Sequence, residues 1–200
     1  MAQPEILVFY GISSPWAYFG TPKLWAIAQK HRARIVLRPI RVIEANGGIP
    51  LRTRAQARQD YHALELTRWR AHLGMPLTLQ PRFYPCRTIE TAAQAVIAAQ
   101  EAGLDAPAFS FAIQRALWAE ERDIADVATL REIARATIGD AGAALVRDPA
   151  LPAHVAMWHA NLAEAERRGI FGTPTYVVRD ELFWGQDRLD FMDRALGRPA

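Results

Sequence analysis

The start of the chain carries the hydrophobic pattern of a strand, a helix and a second strand. An uninterrupted apolar run at residues 5–10 predicts a buried strand. Apolar residues at helical spacing then predict a helix over residues 15–31, and residues 34–38 predict a second strand that ends at Pro39. Because about 35 residues are enough for a right-handed crossover, we expect the two strands to be parallel.

The pattern becomes helical after residue 51 and stays so to about residue 168, with almost no strand signal. Prolines at positions 76, 81 and 85 predict an irregular segment over residues 77–85. The remaining helices are predicted at 52–73, 88–102, 107–120, 126–135, from 140 onward, and 152–168.

Strand character returns near the end of the chain. Residues 175–179 and 182–184 predict a hairpin with a turn at Asp180, and a last helix is expected to start at 185–187. The order β-α-β…β-β-α is that of a thioredoxin-like domain. The sequence therefore predicts an α/β protein with this fold, in which a large all-helical insertion separates the second and third strands. The predicted domains are 1–50 with 169–200, and 51–168.

Composition narrows the classes of function. The 200 residues have a net charge of only +3 and no run of five like charges, so nucleic acid is not an expected partner. No apolar stretch reaches the length of a membrane helix, and the N-terminus lacks the features of a signal peptide. A cytoplasmic location is the expectation. A single cysteine, Cys86, excludes both an intramolecular disulfide and a CxxC pair.

Ser14 stands where the first strand gives way to the first helix, and it permits two interpretations. With Pro15 in the first turn, Ser14 has the pattern of an N-cap. Alternatively, Ser13 or the turn caps the helix, and the Ser14 hydroxyl faces an anion or thiolate that the helix N-terminus favours.

Other candidate residues have weaker local signals. Thr173-Pro174, at the head of a strand, is a candidate cis peptide whose backbone would pair with an extended peptide. The loop at residues 44–50 contains two glycines that would let the backbone approach a ligand closely. Asp187 either begins the last helix or faces an ammonium group. Packing is favoured for Cys86. The five histidines lack the spacing of a metal site, so no metal is predicted and surface or helix-end positions are expected.

Six stretches resemble 2-hydroxychromene-2-carboxylate isomerases: 10–18, 47–51, 61–76, 118–124, 169–176 and 180–191, of which the last is the most specific. The wider group includes kappa-class glutathione transferases and DsbA-type thiol oxidoreductases. In the DsbA-type proteins a CxxC occupies the position of Ser14-Pro15-Trp16-Ala17. Serine at that position fits the glutathione-using branch of the group.

The resemblance implies glutathione as the cofactor and assigns roles to particular residues. Ser14 would hydrogen-bond the glutathione sulfur, and Thr173 would pair its backbone with the cysteinyl unit beside cis-Pro174. Further contacts to glutathione are implied for Gln186 and Asp187 at the γ-glutamyl end, for Arg58 near the glycyl carboxylate, and for the loop of Asn46 and Gly47. Trp16 and Tyr18 would stack on the aryl group of the substrate.

The function implied is glutathione-dependent interconversion of 2-hydroxychromene-2-carboxylate and trans-o-hydroxybenzylidenepyruvate, in naphthalene-type aromatic catabolism. A homodimer is also implied. The main alternative is a kappa-like transferase that conjugates glutathione to electrophiles. A disulfide oxidoreductase and a peptide-binding module that uses the cis-proline groove are further alternatives.

Overall fold

The computed structural model describes residues 3–198, which form four strands and seven α-helices. The strands are β1 (Glu5–Tyr10), β2 (Arg34–Pro39), β3 (Thr175–Val178) and β4 (Glu181–Trp184). The helices are α1 (Pro15–His31), α2 (Gln56–Leu73), α3 (Glu90–Glu101), α4 (Ala106–Trp118), α5 (Val127–Leu145), α6 (Pro152–Arg167) and α7 (Leu189–Leu196). None of the helices in this described range is long and apolar enough to cross a bilayer.

The strands form one mixed sheet in the order β2-β1-β3-β4. Strand β2 is parallel to β1, with Glu5 opposite Arg34 and Tyr10 opposite Pro39. Strands β3 and β4 continue the sheet in antiparallel pairing. The predicted thioredoxin-like order is therefore confirmed, and helices α2 to α6 are inserted between β2 and β3 as predicted.

Several predicted boundaries need correction. Helix α2 begins at Gln56, after a short 3-10 turn at Leu51–Thr53, rather than at residue 52. The helices predicted from residues 126 and 140 form one element, α5, which is interrupted at Gly139 (φ 78°, ψ −176°). The predicted cap is confirmed, since the Asp126 carboxylate accepts a hydrogen bond from the Thr129 N–H at 2.8 Å.

Alternate residues of β1 face opposite sides of the sheet and enter different hydrophobic clusters. Ile6, Val8 and Tyr10 join a large cluster that also contains residues of α1, α3, α4, α5 and α7. Phe9 lies on the other face, with a smaller cluster that includes Ala165 of α6. The inserted helices thus share a core with the sheet, and α3 and α6 bury only a small additional cluster of Ala93, Ile97 and Trp158 between themselves.

The division into 1–50 with 169–200 and 51–168 stays a prediction. Its outer limits include residues 1, 2, 199 and 200, which lie outside the described part of the chain. The prediction that the N-terminus lacks a signal peptide also concerns residues 1 and 2 and is not tested by the structure.

The outer edge of β2 is closed by a side chain rather than by another strand. The Leu37 N–H donates to Gln100 Oε1 at 2.7 Å, and Gln100 Nε2 donates to the Leu37 carbonyl at 3.2 Å. An edge strand with free backbone groups is prone to pair with other chains. The primary amide of Gln100, on α3, offers a donor and an acceptor to one residue, as a neighbouring strand would.

Replacing Gln100 with Met should lower the free energy of unfolding by about 1–3 kcal/mol, because both backbone groups of Leu37 lose their partner. Urea unfolding measures this change. The matched control is Gln56→Met, which removes only a surface hydrogen bond to Asp60 and should change stability by less than about 0.5 kcal/mol. Equal effects of the two substitutions would contradict the role of Gln100.

Candidate active site

Ser14 caps helix α1 with its own side chain. Its Oγ accepts a hydrogen bond from the Ala17 N–H at 3.3 Å, and Pro15 occupies the first helical position. The suggestion that Ser13 or the turn provides the cap is therefore wrong. A hydroxyl has one donor and two acceptor lone pairs, and the cap uses one lone pair only. The Ser14 O–H remains able to donate to a ligand while the cap is kept.

The loop before β3 lies directly beside Ser14. A Cβ placed on Gly11 would lie 3.7 Å from the Ser14 Cβ and 3.5 Å from the Thr173 Oγ1, so both residues border the same small space. The Thr173–Pro174 peptide bond is cis, as predicted. Within residues 3–198, the backbone N–H and C=O of Thr173 make no backbone hydrogen bond. These groups are thus available beside Ser14.

The segment that leads to the last helix is attached to this loop. The Gly185 N–H donates to the Pro174 carbonyl at 2.9 Å. A 3-10 turn at Gln186–Arg188 follows and leads into α7, so the segment is not the direct α-helix start that was predicted. Gln186 is buried against Gly20 of α1, whereas Asp187 is exposed and pairs with Arg188 at 3.0 Å.

Asn46 and the adjacent glycines hold protein segments together. Asn46 Nδ2 donates to the carbonyls of Glu166 at 3.0 Å and Ile170 at 2.9 Å, at the end of α6. A Cβ on Gly48 would lie 2.3 Å from the Phe171 carbonyl oxygen, so only glycine fits there. At Gly48 the close approach is therefore made to protein backbone, whereas a Cβ on Gly47 would meet nothing within 4 Å. Gly47 is exposed, with φ 82°, and the contact of Asn46 and Gly47 with glutathione stays a prediction.

Tyr18 belongs to the core and presents no open ring face. Only 1% of the residue is exposed, its ring stacks on Phe111 with centroids 5.4 Å apart, and its hydroxyl donates to the Pro76 carbonyl at 3.1 Å. The prediction that Tyr18 stacks on a substrate is therefore wrong, because its ring is already covered by protein. Trp16 is half-buried and meets the ring of His62 on α2 edge to face, with centroids 5.3 Å apart.

His62 is the residue that sequence reasoning missed. It was expected at the surface or at a helix end, yet it is half-buried where α2 packs against Trp16 of α1. A signal was present in the spacing, because His62, Leu66 and Trp69 lie at i, i+4 and i+7 on one helical face. That face packs inward, while the apolar residues Tyr61 and Leu64 on the same helix are exposed.

A tryptophan from the helical part of the chain reaches the active-site turn. The Trp118 Nε1–H donates to the Ser13 carbonyl at 3.2 Å, and the ring of Tyr84 packs against Trp118 with centroids 4.9 Å apart.

Cys86 lies near Tyr84, and burial followed by the charge of Asp123 raises the pKa of its thiol to about 11. This cysteine is therefore a protonated packing residue at neutral pH rather than a nucleophile.

Burial and neighbouring positive charge lower the pKa values of two basic side chains in this region, Arg54 and His62. Arg54 Nε donates to the Ile49 carbonyl at 2.9 Å, and burial, with a smaller effect of Arg58, lowers the pKa of the Arg54 guanidinium. Burial, followed by the charge of Arg54, lowers the pKa of His62, so its imidazole is neutral at pH 7. Arg58 itself is exposed on the first turn of α2. No cluster of three metal-ligating side chains occurs in residues 3–198.

The lowered pKa of His62 predicts a loss of stability in mild acid. The unfolded chain, with an ordinary histidine pKa of about 6.5, takes up this proton more readily than the folded chain. The stability contributed by neutral His62 is thus complete only well above the unfolded pKa of about 6.5, and it declines as the pH falls through this value towards the lower pKa of the folded state. His62→Gln should flatten the fall in unfolding free energy between about pH 7.5 and 5.5, measured by urea unfolding at each pH. His159→Gln, at an exposed position of α6, is the control and should follow the original pH profile.

Comparisons with known proteins identify the family of this chain. The model of the DSBA-like thioredoxin domain family matches residues 5–197. The chain is 30% identical over 193 residues to the 2-hydroxychromene-2-carboxylate isomerase of Sphingobium xenophagum, covering 94% of this chain and 95% of the relative. It is 27% identical over 197 residues to the protein of the same name from Pseudomonas putida, covering 95% and 93% of the two chains.

Solved structures show the same fold. A structure of 2-hydroxychromene-2-carboxylate isomerase superposes with a TM-score of 0.72 at 22% identity, covering 97% of this chain and 95% of that chain. The cytosolic disulfide reductase DsbM of Pseudomonas aeruginosa, solved with GSH, gives a TM-score of 0.67 at 23% identity, covering 96% and 98%. Since the family match spans nearly the whole sequence, the chain belongs to the DSBA-like thioredoxin domain family, among relatives named 2-hydroxychromene-2-carboxylate isomerase.

Proposed function

We propose that this protein is a glutathione-dependent isomerase that interconverts 2-hydroxychromene-2-carboxylate and trans-o-hydroxybenzylidenepyruvate. We place this reaction in naphthalene-type aromatic catabolism in the cytoplasm and propose a homodimeric assembly. The observation that carries the proposal is the state of Ser14. It caps α1 and keeps a free hydroxyl donor at the position where thiol oxidoreductases of the family have a cysteine pair.

The first turn of α1 has the donors that a thiolate requires. Pro15 has no N–H, and the N–H groups of Ala17 and Tyr18 are taken by the Oγ and carbonyl of Ser14. The Trp16 N–H has no hydrogen-bond partner in the described part of the chain. One hydroxyl and one backbone N–H are thus left at the positive end of the helix, where an anion is favoured.

These donors would lower the pKa of a bound thiol and so raise the fraction present as the nucleophilic thiolate. At pH 7 a thiol with a pKa of about 8.5 is only a few per cent ionised. Lowering that pKa by about two units corresponds to roughly 2.7 kcal/mol of added stabilisation of the anion. The hemiketal ring of the chromene carboxylate would first open to the unsaturated oxo acid. The thiolate of bound glutathione would then add to the conjugated double bond, the resulting single bond would rotate, and loss of the thiolate would restore the double bond in the trans form, so that glutathione is not consumed.

The other predicted residues offer the groups that a bound tripeptide would require. The unpaired backbone groups of Thr173 can accept and donate the hydrogen bonds of an extended cysteinyl unit. Exposed Asp187 carries the charge that an α-ammonium group requires, and Arg58 carries the charge that a glycyl carboxylate requires. Asn46 and Gly48 hold the neighbouring loop against α6 and Phe171.

The wider group includes proteins that bind glutathione and proteins that exchange disulfides, and the residues of this chain favour glutathione binding. A structure of the same fold, that of DsbM, was solved with GSH. The only cysteine here is Cys86, and burial and Asp123 raise its pKa, which disfavours disulfide exchange. A kappa-like transferase would use the same bound thiolate, so the two activities are separated by assay rather than by the geometry around Ser14.

Ser14→Ala should lower kcat/KM for glutathione-dependent isomerisation by about tenfold to a hundredfold, because a charge-assisted hydrogen bond to the thiolate is lost. Rates are measured on the chromene carboxylate with and without glutathione. The matched control is Ser13→Ala, which leaves the carbonyl that Trp118 binds and should keep the rate within about twofold. Full glutathione-dependent activity of Ser14→Ala would reject the role assigned to Ser14.

A parallel assay of glutathione conjugation to an aryl halide distinguishes the main alternative. Isomerisation without conjugation supports the proposed function. Rapid conjugation with no turnover of the chromene carboxylate would instead identify a kappa-like transferase.

A further inference from the structure

A small cavity lies between the sheet and helices α1 and α4. Its walls include Tyr10 at the end of β1, together with Ser110 and Gln114 of α4. Ala17 also lines the cavity, and its N–H is the group that donates to the Ser14 Oγ. The cavity therefore lies directly behind the first turn of α1, where the sheet meets the inserted helices.

Gln114 brings an unpaired acceptor to this cavity. The residue is 1% exposed, and its Oε1 makes no hydrogen bond with any residue in the range 3–198. Ser110 lies one turn earlier on the same face of α4, yet its hydroxyl does not bond this oxygen. A buried acceptor without a donor loses its hydration and gains nothing in return, so such groups in native proteins are nearly always paired. A donor is therefore expected at Gln114 Oε1.

The hydroxyls of Tyr10 and Ser110 have a hydrogen to spare. Their oxygens lie 2.7 Å apart and share one buried hydrogen bond. Each hydroxyl carries one hydrogen, so the hydroxyl that accepts this bond keeps its own hydrogen, and it donates to no described residue. Burial raises the pKa of Tyr10, which keeps its phenol protonated at neutral pH. An unused donor and an unused acceptor thus border the same cavity.

The space between these groups fits one water molecule. About 20 Å³ of the cavity is open to the centre of a water molecule. About 10–15 Å³ of such volume is enough to hold one buried water, which usually makes about two to four hydrogen bonds. One water can accept the spare hydroxyl hydrogen and donate to Gln114 Oε1. The hydroxyls of Thr21 and Tyr176 also belong to the wall and can accept its second hydrogen.

We propose that this cavity is a binding site for one water molecule, which accepts a hydrogen bond from the Tyr10–Ser110 pair and donates one to Gln114 Oε1. The water joins β1 to α4 behind the candidate active site, and Gln114 is the residue that selects water over an apolar occupant. Neither glutathione nor a substrate takes part, so this inference is independent of the proposed function.

The cavity borders a groove on the surface of the protein. Trp25, Ile35 and Pro107 line the cavity and also line this groove, which has a volume of about 440 Å³. The ring of Trp25 meets Phe111 of α4 edge to face, with centroids 5.1 Å apart. The three shared side chains separate the cavity from the groove, so water or a small apolar gas enters when they move.

Crystal structures of the original protein and of Gln114→Met test the site directly. Methionine keeps the length of the side chain but removes the amide. In the original protein we expect a water peak about 2.6–3.0 Å from Gln114 Oε1 and from the hydroxyl oxygen of Tyr10 or Ser110. In Gln114→Met this peak should lose most of its occupancy.

Three crystallographic results would overturn the proposal. They are a cavity without a water peak in the original protein, a protein group that bonds Gln114 Oε1 directly, and a water peak that Gln114→Met leaves unchanged.

Xenon, dissolved under pressure and followed by NMR, is an apolar probe of the same cavity in solution. Dry apolar cavities bind xenon, whereas a bonded water excludes it. In the original protein we expect no xenon-dependent shift of the methyl signals of Val8 and Leu24, which line the cavity. In Gln114→Ala, which removes the acceptor and enlarges the cavity, the same signals should shift.

Gln94→Ala is the matched control, because Gln94 is a buried glutamine of α3 that is not among the residues lining the cavity. Its methyl signals of Val8 and Leu24 should respond to xenon as those of the original protein do. A clear xenon shift of these signals in the original protein would show a dry cavity and overturn the proposal. That result needs no variant, so it holds even if the substitutions at Gln114 prevent folding.

Discussion

The hydrogen bond from Trp118 to the Ser13 carbonyl joins the helical part of the chain to the turn that carries Ser14. Trp118 ends α4 and is 1% exposed, so its single N–H donor has no access to bulk water. Leaving that donor unpaired would cost about 1–3 kcal/mol. The bond therefore fixes the distance between α4 and the turn from Gly11 to Ser14, and with it the position of the helix N-terminus.

Two further hydrogen bonds join the β1–α1 segment to the inserted part of the chain. The Tyr10 hydroxyl, at the end of β1, shares a buried 2.7 Å hydrogen bond with Ser110 of α4. The Tyr18 hydroxyl bonds the Pro76 carbonyl on the segment after α2. Because the sheet and α1 bury their apolar face against the inserted helices, the first turn of α1 is held from both parts of the chain. The insertion is part of the support of the site rather than an addition beside it.

The placement of sulfur and charge is consistent with a nucleophile that comes from outside the chain. Burial and Asp123 raise the pKa of Cys86, while Ser14 combines a cap and a free donor at the end of a helix dipole. Arg54 adds a fixed cation, since its Nε is bonded to the Ile49 carbonyl. The described residues thus present hydrogen-bond donors and positive charge, which the proposed glutathione-dependent reaction requires.

The sequence by itself determined the local elements and their order. Apolar runs, Asp126 as a cap, and proline and glycine positions predict β1, α1, the hairpin and the Thr173-Pro174 loop, because these signals depend on neighbouring residues. Only the tertiary structure decided which helical faces meet another element. A period of 3.6 residues groups His62 with Leu66 and Trp69 on one face of α2 but cannot tell which element covers that face. The packing of His62 on Trp16 and the complete burial of Tyr18 were therefore not predictable from spacing alone. The bonds of Asn46 to residues about 120 positions away and of Trp118 to the Ser13 carbonyl were likewise decided by packing between distant segments, whereas the cap by Ser14 is a local contact three residues along the chain.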